Sequence, residues 1–126
     1  MKGTTVKSLG LLFAVLLIAG CGSQPAKTQA SNGPVSFAKD IQPMFSQNCM
    51  PCHSGSPGCA SPYALTSYAG AMGNGKDSVP NVLPGNADSS LLCQMLKSGT
   101  MPKTGPLAPA KVELVTGWVT QGAKNN

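Results

Sequence analysis

Arginine is absent from this chain, histidine occurs once, at position 53, and the acids are confined to Asp40, Asp77, Asp88 and Glu113. With no arginine, and nine lysines that form neither a run nor a stripe among aromatics, the chain offers no footprint for nucleic acid. One imidazole and four scattered carboxylates supply no acid–base pair, so peroxide or hydrolytic chemistry has little to work with. Aromatic residues make up 5% of the sequence, few for a domain of this size. A small domain with so thin a core needs a staple, a metal or a cofactor. No stretch alternates with period two, and no apolar run reaches the roughly 20 residues of a membrane-spanning helix.

What is present begins with Lys2 and Lys7, followed by the uncharged run from Leu9 to Gly20. A charged start, a short apolar core and small residues at its end read as an export signal over residues 1–20. Ile18-Ala19-Gly20-Cys21 resembles the lipobox of bacterial lipoproteins, which implies that Cys21 becomes the lipidated first residue of the mature chain. Two or more acyl chains suffice to hold a protein on a membrane face without spanning it. Gly22 after the Cys implies the outer membrane rather than the inner, and the expected location is the periplasm or cell envelope. Residues 21–34 are polar and breaker-rich, a flexible tether with a reach of roughly 20 Å. Without the signal, seven lysines face four acids, leaving the mature chain mildly basic. Scattered lysines help to dock acidic redox partners or form a solvated surface.

Residues 35–126 form the expected domain. A first helix starts at Ser36 and runs toward Cys49, with Phe37, Ile41, Met44 and Phe45 sharing a face and Pro43 bending it. A short helix is predicted over Thr66–Met72 with Thr66 as its cap. A third covers Leu91–Lys97 behind Asp88-Ser89-Ser90 and ahead of Gly99, and a last one covers Ala110–Gln121 with Leu114, Val115, Trp118 and Val119 on one side. The predicted fold class is all-α, three to four short helices joined by long loops.

The chemistry lies in Cys49-Met50-Pro51-Cys52-His53. Two thiols three positions apart each add across one vinyl group of a haem, and the following His is placed to bind the iron. C-x-x-C-H is the attachment signature of c-type haem. A thioredoxin-type redox motif would need a βαβ setting, and a zinc site drafting Cys49, Cys52, Cys59 and Cys93 would lack a second C-x-x-C. With His53 the only histidine, two imidazoles cannot ligate one iron within this chain.

Several segments together resemble the class I cytochromes c, and more closely the small bacterial cytochrome c domains. These are Phe37–Phe45, Cys49–His53, Leu65–Tyr68, Leu83–Asn86, Ser90–Leu92, Met101-Pro102 and Gly117–Ala123. The resemblance covers residues 35–123. It implies one covalent haem c held by Cys49 and Cys52, with His53 as the proximal iron ligand and Phe45 and Trp118 on crossing helices. Ile41 departs from the pattern, standing where class I proteins often have Gly.

For the distal iron ligand, Met44 and Met50 sit too near the attachment site, and Met95 lies among apolar helix residues. Met101, in the loop Ser98–Gly105 and followed by Pro102, is where the family places its axial Met, and Met72 is the alternative. Cys59 and Cys93 remain, in a compartment that permits disulfides. A bond between them would close about 35 residues and stabilise by roughly 3–4 kcal/mol, two free buried thiols being the alternative. The function implied is electron transfer with other extracytoplasmic redox proteins rather than catalysis. The rival is a haem enzyme or small-ligand sensor with an open or labile sixth site.

Overall fold

The computed structural model describes residues 33–75 and 78–126. The signal segment 1–20, the lipobox Cys21 and all of the tether before Gly33 lie outside the described residues. Among the described residues there are helices and loops and no strand, only an isolated bridge between Asn74 and Pro80.

The chain enters through a π-helical turn, Phe37–Ile41, that runs directly into α1, Gln42–Asn48. Pro43 accounts for the wide turn. It has no N–H to give to the preceding turn, and its ring crowds the carbonyl four residues back. The ladder ahead of it therefore shifts to five-residue spacing: Ile41 N–H donates to Ser36 O at 3.2 Å, and Gln42 N–H reaches Phe37 O. The bend expected at Pro43 is thus taken up as a widened turn rather than a break. Ser36 caps it, its Oγ accepting from Lys39 N–H while its own N–H donates to the Asp40 carboxylate at 2.8 Å. The first amides of the turn are satisfied from far along the chain. Phe37 N–H donates to Asn126 Oδ1 at 3.0 Å, and Ala38 N–H donates to Asn126 O at 2.9 Å. Helix starts always leave such donors, and here the other end of the fold supplies the acceptors.

Three further helices follow: α2, Tyr68–Ala71; α3, Leu91–Lys97; and α4, Pro109–Thr120. The cap of α2 is Ser67, whose Oγ accepts from Gly70 N–H at 3.1 Å, one residue later than the expected Thr66. The bounds of α3 are those expected, and Gly99 follows its end at φ +69°, a conformation that favours glycine. Ser90 stands at the N-cap of α3 but its hydroxyl turns outward from the helix, accepting from Leu83 N–H and donating to Asn86 O. It pins the preceding loop instead of the helix.

The core gathers where the π turn meets α4. Trp118, Val115, Val119, Ile41 and Phe45 are fully buried. The Phe37 ring lies 5.5 Å from Trp118 and 5.2 Å from Tyr68, edge to face with the latter. Trp118 Nε1–H donates to Lys124 O, and the Tyr68 hydroxyl to Ala123 O. Three aromatics so arranged add about 0.5–1.5 kcal/mol per pair beyond their burial. Ile41, where a Gly is usual in the similar family, fills this core with its side chain.

Candidate haem site

The attachment motif hangs from the end of α1. Cys49 is the C-cap, its N–H donating to Phe45 O at 2.8 Å, and His53 N–H continues the turn onto Cys49 O at 3.1 Å. This local winding carries Cys49, Cys52 and His53 onto one cavity of about 500 Å³. On its far sequence side the cavity is closed by the loop after α3, which contributes Met101, Pro102, Lys103 and Thr104. That loop is held by Met101 N–H on Met95 O at 3.1 Å and by Gly105 N–H on Pro102 O. Leu65, Leu91, Leu92, Met95 and Leu96 supply an apolar lining.

The imidazole is oriented by the main chain. His53 Nδ1 lies 2.9 Å from Tyr63 O, and a carbonyl only accepts, so Nδ1 carries the proton and Nε2 keeps its lone pair. Leu65 N–H donates to His53 O at 2.8 Å, so His53 and residues 63–65 are joined from both sides. The Tyr63 ring stands edge-on to the imidazole at 5.8 Å, and its hydroxyl donates to Ala71 O at 2.7 Å. Burial, with the Cys49 and Cys93 thiols adding to it, raises the Tyr63 hydroxyl well above the usual phenol range. Burial also pushes the Cys49 thiol up to about 11, whereas Cys52 is exposed.

The electrostatic character of the cavity is simple. Among the described residues its lining includes one cation, Lys103, and no carboxylate. Beside it, Lys111 Nζ donates to Asn48 Oδ1 at 2.8 Å, linking α4 to the last residue of α1. A second, more open groove lies between α3 and α4, lined by Leu96, Lys97, Leu107 and Val112 among others. It holds no thiol, imidazole or thioether.

The four residues expected to hold a haem are therefore brought together, with Met50 and Met95 as further thioethers on the same cavity. Met72 does not line it. The bond expected between Cys59 and Cys93 is not formed, and both are free thiols. Cys93 is wholly buried in the core side of α3, while Cys59 sits in the loop after the motif with its Sγ donating to Ser61 O at 2.9 Å. Among the described residues no three of His, Cys, Asp and Glu gather closely enough for a metal ion. Asn81 and Gly75 also line the cavity, and sequence reasoning passed over both. The signal available was a single amide set between Val79-Pro80 and Val82-Leu83.

Residues 49–105 match the family described as Planctomycete cytochrome C. The match supports a cytochrome c-like domain over those residues. The match runs from the first motif cysteine to the end of the Met101 loop, the two segments that meet at the cavity. No curated protein and no solved structure matches the chain. The cavity fits a covalent haem on the chemistry of its donors: two thiols, an imidazole with Nε2 available and thioethers. Its volume of about 500 Å³ lies within the roughly 300–1,000 Å³ typical of cofactor sites.

Proposed function

We propose that this protein is an extracytoplasmic electron carrier with one covalent haem c, ligated by His53 and Met101, and no open iron site. The observation that carries the reading is that Cys49, Cys52, His53 and Met101 line one mostly apolar cavity. A haem held there supplies one-electron exchange between Fe(III) and Fe(II). Cys49 and Cys52 hold the ring as thioethers. His53 offers Nε2 to the iron, and its Nδ1–H bond to Tyr63 O fixes the ring tautomer. Met101 offers a thioether, which favours Fe(II) and raises the potential. Leu65, Leu92 and Met95 keep water from the site.

The same reading takes residues 1–20 as a signal, Cys21 as the lipidation site and 21–34 as the tether. Residues 35–126 are then the redox domain, held on a membrane face of the cell envelope, with the outer membrane preferred. Its partners are other extracytoplasmic redox proteins. Mass spectrometry of the membrane-extracted protein for one haem and an acylated Cys21 tests that part.

The central test is the visible spectrum of the haem-loaded protein, oxidised and reduced, with and without carbon monoxide. Sharp reduced bands unmoved by carbon monoxide, with the weak far-red ferric band of a Met–iron bond, are expected. A large carbon monoxide shift would replace the carrier by a ligand sensor or enzyme with an open site.

A further inference from the structure

Two polar side chains are buried among the described residues, Asn81 and Ser90, and only Asn81 lines the haem cavity. It is 4% exposed. Its main chain is tied to α3, Leu92 N–H donating to Asn81 O at 3.0 Å. Its side chain is packed over the backbone of Gly75, where a Cβ would meet Oδ1 at 2.9 Å. Gly75 is in turn held by its own N–H on Val79 O at 3.0 Å. The amide is thus a built feature of the cavity wall.

An asparagine amide has two N–H donors and an acceptor oxygen. One N–H of Nδ2 donates to Gly73 O at 3.0 Å, and among the described residues the other N–H takes no partner. A hydrogen-bonding group in an apolar wall is costly to leave without a partner. The reading above puts a haem in this cavity, and a haem brings two carboxylate arms with its apolar ring. The chain has no arginine, and Lys103, the one lysine of the lining among the described residues, is exposed to water.

We infer that Asn81 is a haem-binding residue, its second amide N–H donating to a carboxylate arm of the haem. The inference rests on the covalent-haem reading. A donor at that point offsets negative charge held out of water, and so keeps the ferrous state from being disfavoured. Gly75 serves the same contact by leaving room for the amide.

The test uses the full chain with haem attached, as wild type, Asn81→Leu, Asn81→Asp and Gly75→Ala. Two readouts are taken at one pH and ionic strength, the midpoint potential and the carboxylate stretch in the redox-difference infrared spectrum. Asn81→Leu is expected to move the carboxylate band and lower the potential. Asn81→Asp, which replaces the donor by an anion, should lower it further, and Gly75→Ala, which displaces the amide, should fall between wild type and Asn81→Leu. If Asn81→Leu does not fold, Asn81→Asp and Gly75→Ala are read in the same way. Unchanged band and potential in the variants, with only a lower unfolding midpoint, would overturn the inference and leave Asn81 as a clamp on Gly73. Wild-type protein without covalent haem bands would overturn the underlying reading instead.

Discussion

The imidazole Nδ1 of His53 and the main-chain oxygen of Tyr63 are 2.9 Å apart, and the Tyr63 ring meets the same imidazole edge-on at 5.8 Å. One residue thus sets both the tautomer and the tilt of the ring expected to bind iron. Replacing Tyr63 by Phe keeps the carbonyl and the ring but leaves Ala71 O, the acceptor of the hydroxyl, without its partner. The expected result is a loss of about 1–2 kcal/mol in denaturant titration, with the haem spectrum unchanged. A change in the ligand bands would show that the hydroxyl, and not the carbonyl, governs the imidazole.

Met101 lines the cavity and Met72 does not. Met101→Leu is expected to abolish the far-red ferric band and to let carbon monoxide shift the reduced spectrum, while Met72→Leu leaves both as in wild type. Met50 and Met95 are further thioethers of the lining, and loss of the band on replacing either would reassign the ligand.

Trp118 joins α4 to the π turn through Phe37 and closes the chain behind it through Lys124 O. Trp118→Ala should cost about 3–5 kcal/mol, the range for truncating a buried large aromatic. Much of that loss should reappear as a lower thermal midpoint in a calorimetric scan. A cost below about 1 kcal/mol would mean that the core closes without it.

Burial pushes the Cys93 thiol from an ordinary value near 9 up to about 11. The folded chain therefore keeps a proton that the unfolded chain gives up, so stability is full below pH 9 and falls as pH rises from 9 to 11. Cys93→Ala should lack this contribution to the alkaline decline, at a cost of about 1 kcal/mol at neutral pH from the small volume removed. Urea midpoints for the two proteins at several pH values compare the slopes directly. Parallel alkaline slopes would place the titrating group elsewhere.

The parts of the molecule that depend on near neighbours were legible in the sequence. The attachment motif is five consecutive residues, and α3 is bracketed by Ser90 and Gly99 at the bounds it takes. The π turn was less so: Pro43 announces a disturbance, but whether the ladder breaks or widens is settled by what packs around Phe37 and Ile41. The cap of α2 slipped from Thr66 to Ser67 because adjacent hydroxyls have similar capping ability, and local sequence does not choose between them. Cys59 and Cys93 make an even count, but parity carries no distance. The fold turns one into the core and the other toward Ser61. Asn81 was invisible for the same reason, since its meaning comes from a wall assembled by Gly75, α3 and the motif loop.

The hydrogen bonds that join His53 to Tyr63 and Leu65 close the intervening loop like the neck of a purse. The chain between Ser56 and Cys59 lies beyond that neck from the imidazole, whereas Ala60 and Ser61 line the cavity. Gly58 has open space where a Cβ would stand, with no atom within 4 Å. Extra residues spliced in there would add only a small loop-closure cost, about 0.6 kcal/mol for each doubling of length. The segment is therefore a site where a tag or reporter could be carried without moving His53.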